Sequence, residues 1–265
     1  MPKHSIIMPA YNSSKTIEAS IESVLCQTEK DHELIIVDDC STDDIGSIYE
    51  VYSSHPKVKL IHMPKNVGPG DCRNKGIEVA SGRYIHFLDS DDLYLPMYLS
   101  SIGKMHEETG SSLCCAAYIR VGSFKRKLSY ASITCPPSAI TGKMIGLYNA
   151  IPLLTSSVDR AVLTLPKFEN QNKARLSRPE DYIFWLNIFT NNEGLVASTC
   201  AQPLAIYNVI PHSRSYNKYA TIKRIYEINH QDRNDKLRST IKSLLWAGMA
   251  VKGKSLLEIA AHLLP

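Results

Sequence analysis

The chain has 265 residues, 44% hydrophobic and 21% charged, an ordinary globular composition with length enough for a full core. A formal net charge of +4 is too mild to argue for a nucleic-acid partner, and no apolar run is long enough to cross a bilayer. The seven cysteines (Cys26, Cys40, Cys72, Cys114, Cys115, Cys135, Cys200) lack CxxC spacing. They read as reduced thiols of a cytoplasmic protein, and the N-terminus carries no signal-peptide core.

Ser5-Ile6-Ile7-Met8 is a short strand ended by Pro9, and Ala10 to Ser14 is a polar turn. Ile17, Ile21, Val24 and Leu25 then recur at helical spacing. Leu34-Ile35-Ile36-Val37 is a second strand ending in Asp38-Asp39, after which Ser41 is placed to cap a helix buried through Ile45, Ile48, Tyr49 and Tyr52. Val58 to Ile61 is a third strand. It leads to the loop Asn66-Val67-Gly68-Pro69-Gly70 and a helix over 71–80. The fourth strand, Tyr84 to Leu88, stops at Asp89-Ser90-Asp91-Asp92.

Strands alternating with single helices predict right-handed crossovers, and so an α/β fold with a mostly parallel central sheet flanked by helices. Ligands of such sheets bind beyond the carboxyl ends of the strands. Asn12, Asp38, Asp39, Asn66 and the Asp89–Asp92 cluster all follow such ends. Carboxylates crowded at 89, 91 and 92 repel one another unless a cation lies between them, and oxygen donors suit Mg²⁺ or Mn²⁺. The competing reading is a solvated acidic turn.

Beyond Pro96 the pattern loosens. Tyr98, Leu99, Ile102 and Met105 mark a helix, 113–121 a strand, and 124–133 a basic exposed extension. Arg178-Pro179-Glu180-Asp181 opens a helix carrying Trp185, Ile188 and Phe189 inward. Two strands are expected, at 195–197 and 204–207, then a polar turn at Pro211-His212-Ser213-Arg214-Ser215 and helices from about 219.

The first hundred residues resemble the family-2 inverting glycosyltransferases, whose nucleotide-sugar-binding fold is called GT-A. The resemblance rests on Ser5 to Asn12, Glu33 to Ser41, Asn66-Val67-Gly68 with Arg73 to Ile77, and Gly82-Arg83-Tyr84-Ile85 running into Asp89 to Asp92, in family order. The second half matches chiefly at Glu180-Asp181 and His212.

The resemblance implies transfer of a sugar from a nucleoside diphosphate sugar, most often a UDP-sugar, to a hydroxyl, with inversion at the anomeric carbon. It implies that Asp91 ligates Mn²⁺ or Mg²⁺, with Asp89 and His212 helping to hold the ion and Asp92 supporting the site. Pro9, Ala10, Tyr11, Asn12, Asp39, Arg73 and Ser90 become nucleotide-binding candidates, Asp39 by accepting a hydrogen bond from a uracil N–H. Asp181 becomes the candidate catalytic base, taking the proton of the attacking acceptor hydroxyl. Acids in a first helical turn also stabilise the helix dipole, and that positive end is expected to keep Asp181 ionised.

The expected organisation is a GT-A catalytic domain over 1–217, with a nucleotide-sugar part (1–100) and an acceptor part (101–217), and a helical extension over 218–265. The extension mixes lysines and arginines with Leu237, Ile241, Leu244, Leu245 and Trp246. It suits either a helix packed on the domain or a peripheral contact with the inner face of the cell membrane. The acceptor is expected to be a glycan or lipid-linked glycan of surface polysaccharide or lipopolysaccharide assembly. Two rivals are a nucleotidyltransferase, whose triphosphate loop is missing from 9–14, and an inactive sugar-nucleotide-binding subunit, against which Asp91 and Asp181 both argue.

Overall fold

The computed structural model describes residues 2–124, 128–169 and 180–209. The expected 218–265 extension, with its membrane contact, lies outside them. In chain order come β1 (His4–Ala10), α1 (Ile17–Leu25), β2 (His32–Asp38), α2 (Gly46–Tyr52), β3 (Val58–His62), α3 (Pro69–Val79), β4 (Tyr84–Phe87), β5 (Leu93–Tyr94) and α4 (Tyr98–Thr109). The second half adds β6 (Leu113–Phe124), β7 (Leu128–Thr134), β8 (Ala139–Thr141), α5 (Gly142–Ile145), a 3-10 turn at Leu153–Thr155, β9 (Ser156–Asp159), α6 (Glu180–Asn191) and β10 (Val196–Val209).

The sheet runs β3-β2-β1-β4-β9-β6-β10-β5, with β7 on β6 and β8 on β10. The parallel arrangement expected from alternating elements holds for β3, β2, β1 and β4. Beyond β4 the sheet is mixed: β9 pairs antiparallel with both β4 and β6, whereas β10 is parallel to β6. The strands expected at 195–197 and 204–207 are one strand, β10, whose register shifts around Pro203. Proline has no N–H for the ladder and breaks the apolar pattern there, so one irregular strand reads as two. The expected basic extension contains β7, zipped antiparallel onto β6.

Alternation along the parallel strands divides the core in two. Ile6, Met8, Leu34 and Ile36 face α1, α2 and α4 through Ile17, Ile21, Tyr49, Tyr98 and Ile102. Ile7, Ile35, Val37, Ile85 and Phe87 face α3, α5 and α6 through Cys72, Ile145, Phe184, Trp185 and Ile188. The protein is thus an α/β sandwich with helices on both faces of one sheet. All seven cysteines are free thiols. Among the described residues no helix is long and apolar enough to cross a membrane.

Two segments of the recognised pattern serve the rim opposite the acidic cluster. Glu33 Oε1 accepts from Ser5 Oγ (2.6 Å) and Ser81 N (2.7 Å), and Gly82 N donates to Ser5 Oγ at 2.8 Å. A Cβ at Gly82 would fall 2.7 Å from the Ser5 nitrogen, so only glycine admits this approach. Ser41, expected to cap α2, instead donates through Oγ and N to Asp38, and α2 begins only at Gly46, after Ile45. The short hydroxyl is captured by the nearer carboxylate in a local turn, an alternative the backbone offers to capping.

Near the start of β1 and β4, three histidines are buried together. His4 Nδ1 lies 2.9 Å from His86 Nε2, His86 Nδ1 lies 3.1 Å from the Tyr98 hydroxyl, and His106 stacks on Tyr84. Burial holds all three in the neutral form, His4 down to about 3. Their folded affinity for protons is below the unfolded value near 6.5, so the unfolded chain binds more protons as pH falls. Stability is expected to be fully present above about pH 6.5 and to decline progressively below it. The urea midpoint measured from pH 7.5 to 5 should fall in the wild type and fall less in His4→Asn; parallel profiles would clear the histidines of any part in it.

Candidate active site

The acidic cluster is built by the end of β4. Leu88 extends the strand through Leu88 N to Ile7 O (3.0 Å), and Asp92 N closes a turn on Asp89 O (3.1 Å). That turn gathers carboxylate oxygens of Asp89, Asp91 and Asp92 within 4.8 Å of one another. Burial, reinforced by the charge of Asp89, pushes Asp91 up to about 6 and Asp92 well above the carboxylate range. Asp92 Oδ1 accepts Asn208 N at 2.9 Å, and Asn208 Nδ2 donates to Asp91 O at 2.6 Å, so β10 clamps the turn from the far half of the chain. Three crowded oxygen donors, two of them with ionised forms disfavoured by burial and by the neighbouring charge, fit a hard divalent cation.

Arg73 reaches this cluster from the first turns of α3. Its guanidinium is buried, donating through Nη2 to Asp89 Oδ1 (2.6 Å) and through Nη1 to Glu180 Oε1. It also lies over the Phe168 ring, which Asn74 fixes by donating to Phe168 O (2.9 Å) and accepting Phe168 N (2.8 Å). Phe168 stacks on Phe184 of α6 with ring centroids 4.0 Å apart. The strand carrying the acids and the helix opened by Glu180 are therefore joined by one buried cation and an aromatic stack.

Asp181, the next residue, is partly buried, and its Oδ2 accepts Asn149 Nδ2 at 2.8 Å. The helix end expected to keep Asp181 ionised is joined here by burial, which acts the other way. Burial raises its affinity for a proton, outweighing the backbone N–H of Tyr182, Arg73 and Asn149, which oppose it. A carboxylate held this way is a stronger proton acceptor than a solvated aspartate.

The remaining candidates line the adjacent strand ends. Pro9 and Ala10 are buried at the end of β1, whereas Tyr11 is half exposed. Asn12 adopts a left-handed φ of 49° and accepts Thr42 N through Oδ1 at 2.8 Å. Asp39 Oδ1 and Oδ2 accept the backbone N–H groups of Val67 (2.7 Å) and Gly68 (2.8 Å), so Asp39 anchors the loop before α3. Gly68 has a φ of 94°, which favours glycine there. Ser90 sits partly exposed between the acids. His212 lies outside the described residues, as do Ser213, Arg214 and Ser215.

The model of the family described as Glycosyl transferase family 2 matches residues 5–161, more than half of the chain. The chain belongs to this family. It is similar to the UDP-Glc:alpha-D-GlcNAc-diphosphoundecaprenol beta-1,3-glucosyltransferase WfgD of Escherichia coli, 32% identical over 225 residues that cover 84% of each chain. In fold, this family-2 glycosyltransferase resembles Staphylococcus aureus TarS 1-349, solved with UDP-GlcNAc, at a TM-score of 0.62 and 22% identity over 94% of this chain and 71% of that one. It also resembles the mannosyltransferase PcManGT of Pyrobaculum calidifontis, solved with GDP-Man and Mn²⁺, at a TM-score of 0.63 and 15% identity over 98% and 79% of the two chains. The GT-A fold is thereby established.

Sequence reasoning missed the pairing of Arg73 with Glu180 and the roles of Asn149 and Asn208. Arg73 and Glu180 lie 107 positions apart, and no local pattern links them. Nothing in the local pattern around the two asparagines distinguishes them from loop and strand-end amides.

Proposed function

We propose that this glycosyltransferase is metal-dependent and inverting, moving a sugar from a UDP-sugar to a hydroxyl of a lipid-linked glycan at the cytoplasmic face of the membrane. The observation that carries this reading is the Arg73 bridge, which ties the acidic cluster at the end of β4 to the Glu180–Asp181 step of α6 across 107 positions of sequence. The donor and acceptor classes are those in the name of the Escherichia coli relative.

In this reading Asp91 and Asp89 hold Mn²⁺ or Mg²⁺, Asp92 bracing them. Such an ion supplies charge neutralisation of the diphosphate and of the oxygen that leaves with it. Tyr11 and Asn12, beyond Pro9 and Ala10, meet the nucleotide, with Asp39 and Ser90 completing that wall. Asp39 serves partly by holding the 66–68 loop, and Arg73 by fixing Asp89. Asp181 accepts the proton of the acceptor hydroxyl as that oxygen forms its bond to the anomeric carbon and the bond to the diphosphate breaks. Attack from the face opposite the leaving group inverts the centre.

Thermal shift with UDP, UDP-glucose and UDP-N-acetylglucosamine, each with Mn²⁺ or EDTA, tests the donor side. A ligand at 100 times its Kd stabilises the native state by about 2.7 kcal/mol. Mn²⁺ should enlarge the shift given by the cognate nucleotide in the wild type and leave it unchanged in Asp91→Ala. Equal shifts with Mn²⁺ and EDTA in the wild type would sink the metal-bridged reading.

A further inference from the structure

We infer that Asn149 is a positioning residue for the transfer reaction, holding the Asp181 carboxylate by one oxygen so that the other is left to take the acceptor's proton. The inference rests on the assignment of Asp181 as base. Its geometric footing is independent of that assignment. Asn149 Nδ2 donates to Asp181 Oδ2 at 2.8 Å. Asn149 stands in the connection between α5 and the 3-10 turn, and that connection is fixed to α6 twice over. Tyr182, the neighbour of Asp181, donates its hydroxyl to Ile145 O at 3.0 Å. Ala150 and Ile151, directly after Asn149, are buried in the same apolar cluster as Tyr182, Phe184 and Trp185. The amide therefore meets Asp181 from a segment that is bonded to α6 at its start and packed against it directly after Asn149.

A second observation marks the amide as more than a structural tie. Among the described residues Asn149 Oδ1 is buried without a hydrogen-bond partner. Buried polar atoms are rarely left this way, and those that are need an explanation. Turning the amide over would set its carbonyl against the Asp181 carboxylate. The orientation seen sacrifices the carbonyl to keep a donor on the base. Such a donor favours the ionised form, the form in which a base works, and offsets part of the burial that raises Asp181.

Carboxyl-carbon NMR titration of the full chain tests the proposal without a known substrate, the Asp181 resonance being the one lost in Asp181→Asn. In Asn149→Ala the titration midpoint of Asp181 should move up by about one pH unit. Asn149→Ser, which restores a donor hydroxyl, should recover part of that shift. Circular dichroism and a melting curve on each variant establish that both are folded. With the cognate donor in hand, the acid limb of kcat should move by the same amount. A midpoint unchanged in a folded Asn149→Ala variant overturns the inference while leaving the base assignment intact. Full turnover in Asp181→Asn would overturn the base assignment instead, whatever the titration gives.

Discussion

Asp181→Asn is expected to lower turnover about 10³-fold, the usual share of a positioned general base, while nucleotide-sugar binding stays within a fewfold of wild type. Asparagine matches the aspartate in shape and still offers an oxygen to Asn149, so the clasp at 2.8 Å and the start of α6 are preserved. In the proposed mechanism, what is lost is the group that takes the proton as the acceptor oxygen attacks. The acidic cluster and the proposed donor wall are untouched, so the proposed donor orientation and leaving-group stabilisation should remain as residual catalysis. Initial rates of UDP release, set beside the Kd for the donor from thermal shift, separate the two effects. A rate within tenfold of wild type would remove Asp181 from the chemistry. The wild-type pH profile carries the same signature. Because burial raises the affinity of Asp181 for a proton, activity should fall on the acid side at a pH above the ordinary aspartate range. That limb should be missing from the residual activity of Asp181→Asn.

Arg73→Met is expected to cost about 3 kcal/mol of stability, the scale for breaking a buried ion pair from one side. Arg73 and Glu180 are both buried, and the cation serves two acids at once. Methionine fills much of the volume but leaves the Glu180 carboxylate without its counter-charge. Burial already raises Glu180, with Arg73 opposing the rise, so the variant's Glu180 should bind a proton at still higher pH. The sign follows directly. A carboxyl whose folded affinity for protons exceeds its unfolded one destabilises most where it is ionised, so the loss should be largest near pH 8 and shrink toward pH 5. Urea titrations of both proteins at the two pH values test this. Arg73→Lys should fall between them, because an ammonium keeps the charge but not the fork that reaches Asp89 and Glu180 together. Equal midpoints for wild type and Arg73→Met would mean the bridge contributes nothing to folding.

What could be read from the chain in advance divides along physical lines. β1 to β4 and their helices were legible because the strands are apolar runs closed by turns, α1 and α2 repeat their apolar positions at helical spacing, and α3 is bracketed by the 66–70 loop and Ser81-Gly82. Asp89 and Asp91 stood out for the same reason, charge placed abruptly after a strand. β9 was invisible because Ser156-Ser157-Val158-Asp159 is buried through hydroxyls and a paired acid rather than apolar bulk. β5 is two residues long and exists only because β10 comes to meet it. The resemblance assigns Asp39 a hydrogen bond from a uracil N–H; in the fold both its oxygens hold the 67–68 backbone, a use that only the folded loop reveals. Arg73 was read as facing a nucleotide. Its partner, Glu180, lies in another helix and no local pattern connects them.

β10 adds one consequence. The stretch most readily recognised ends at residue 161, soon after β9, yet β10 lies between β6 and β5, and β5 follows the aspartates directly. Removing everything after 161 would strip the neighbour from β5, take Asn208 from the acidic turn and leave Arg73 without Glu180. The recognisable segment is therefore not a transplantable part. Transplanted alone, residues 1–161 would carry Arg73 without the Glu180 it pairs with here. Any exchange of this segment with another protein would have to carry residues 180–209 along to keep Arg73 and the acidic turn partnered.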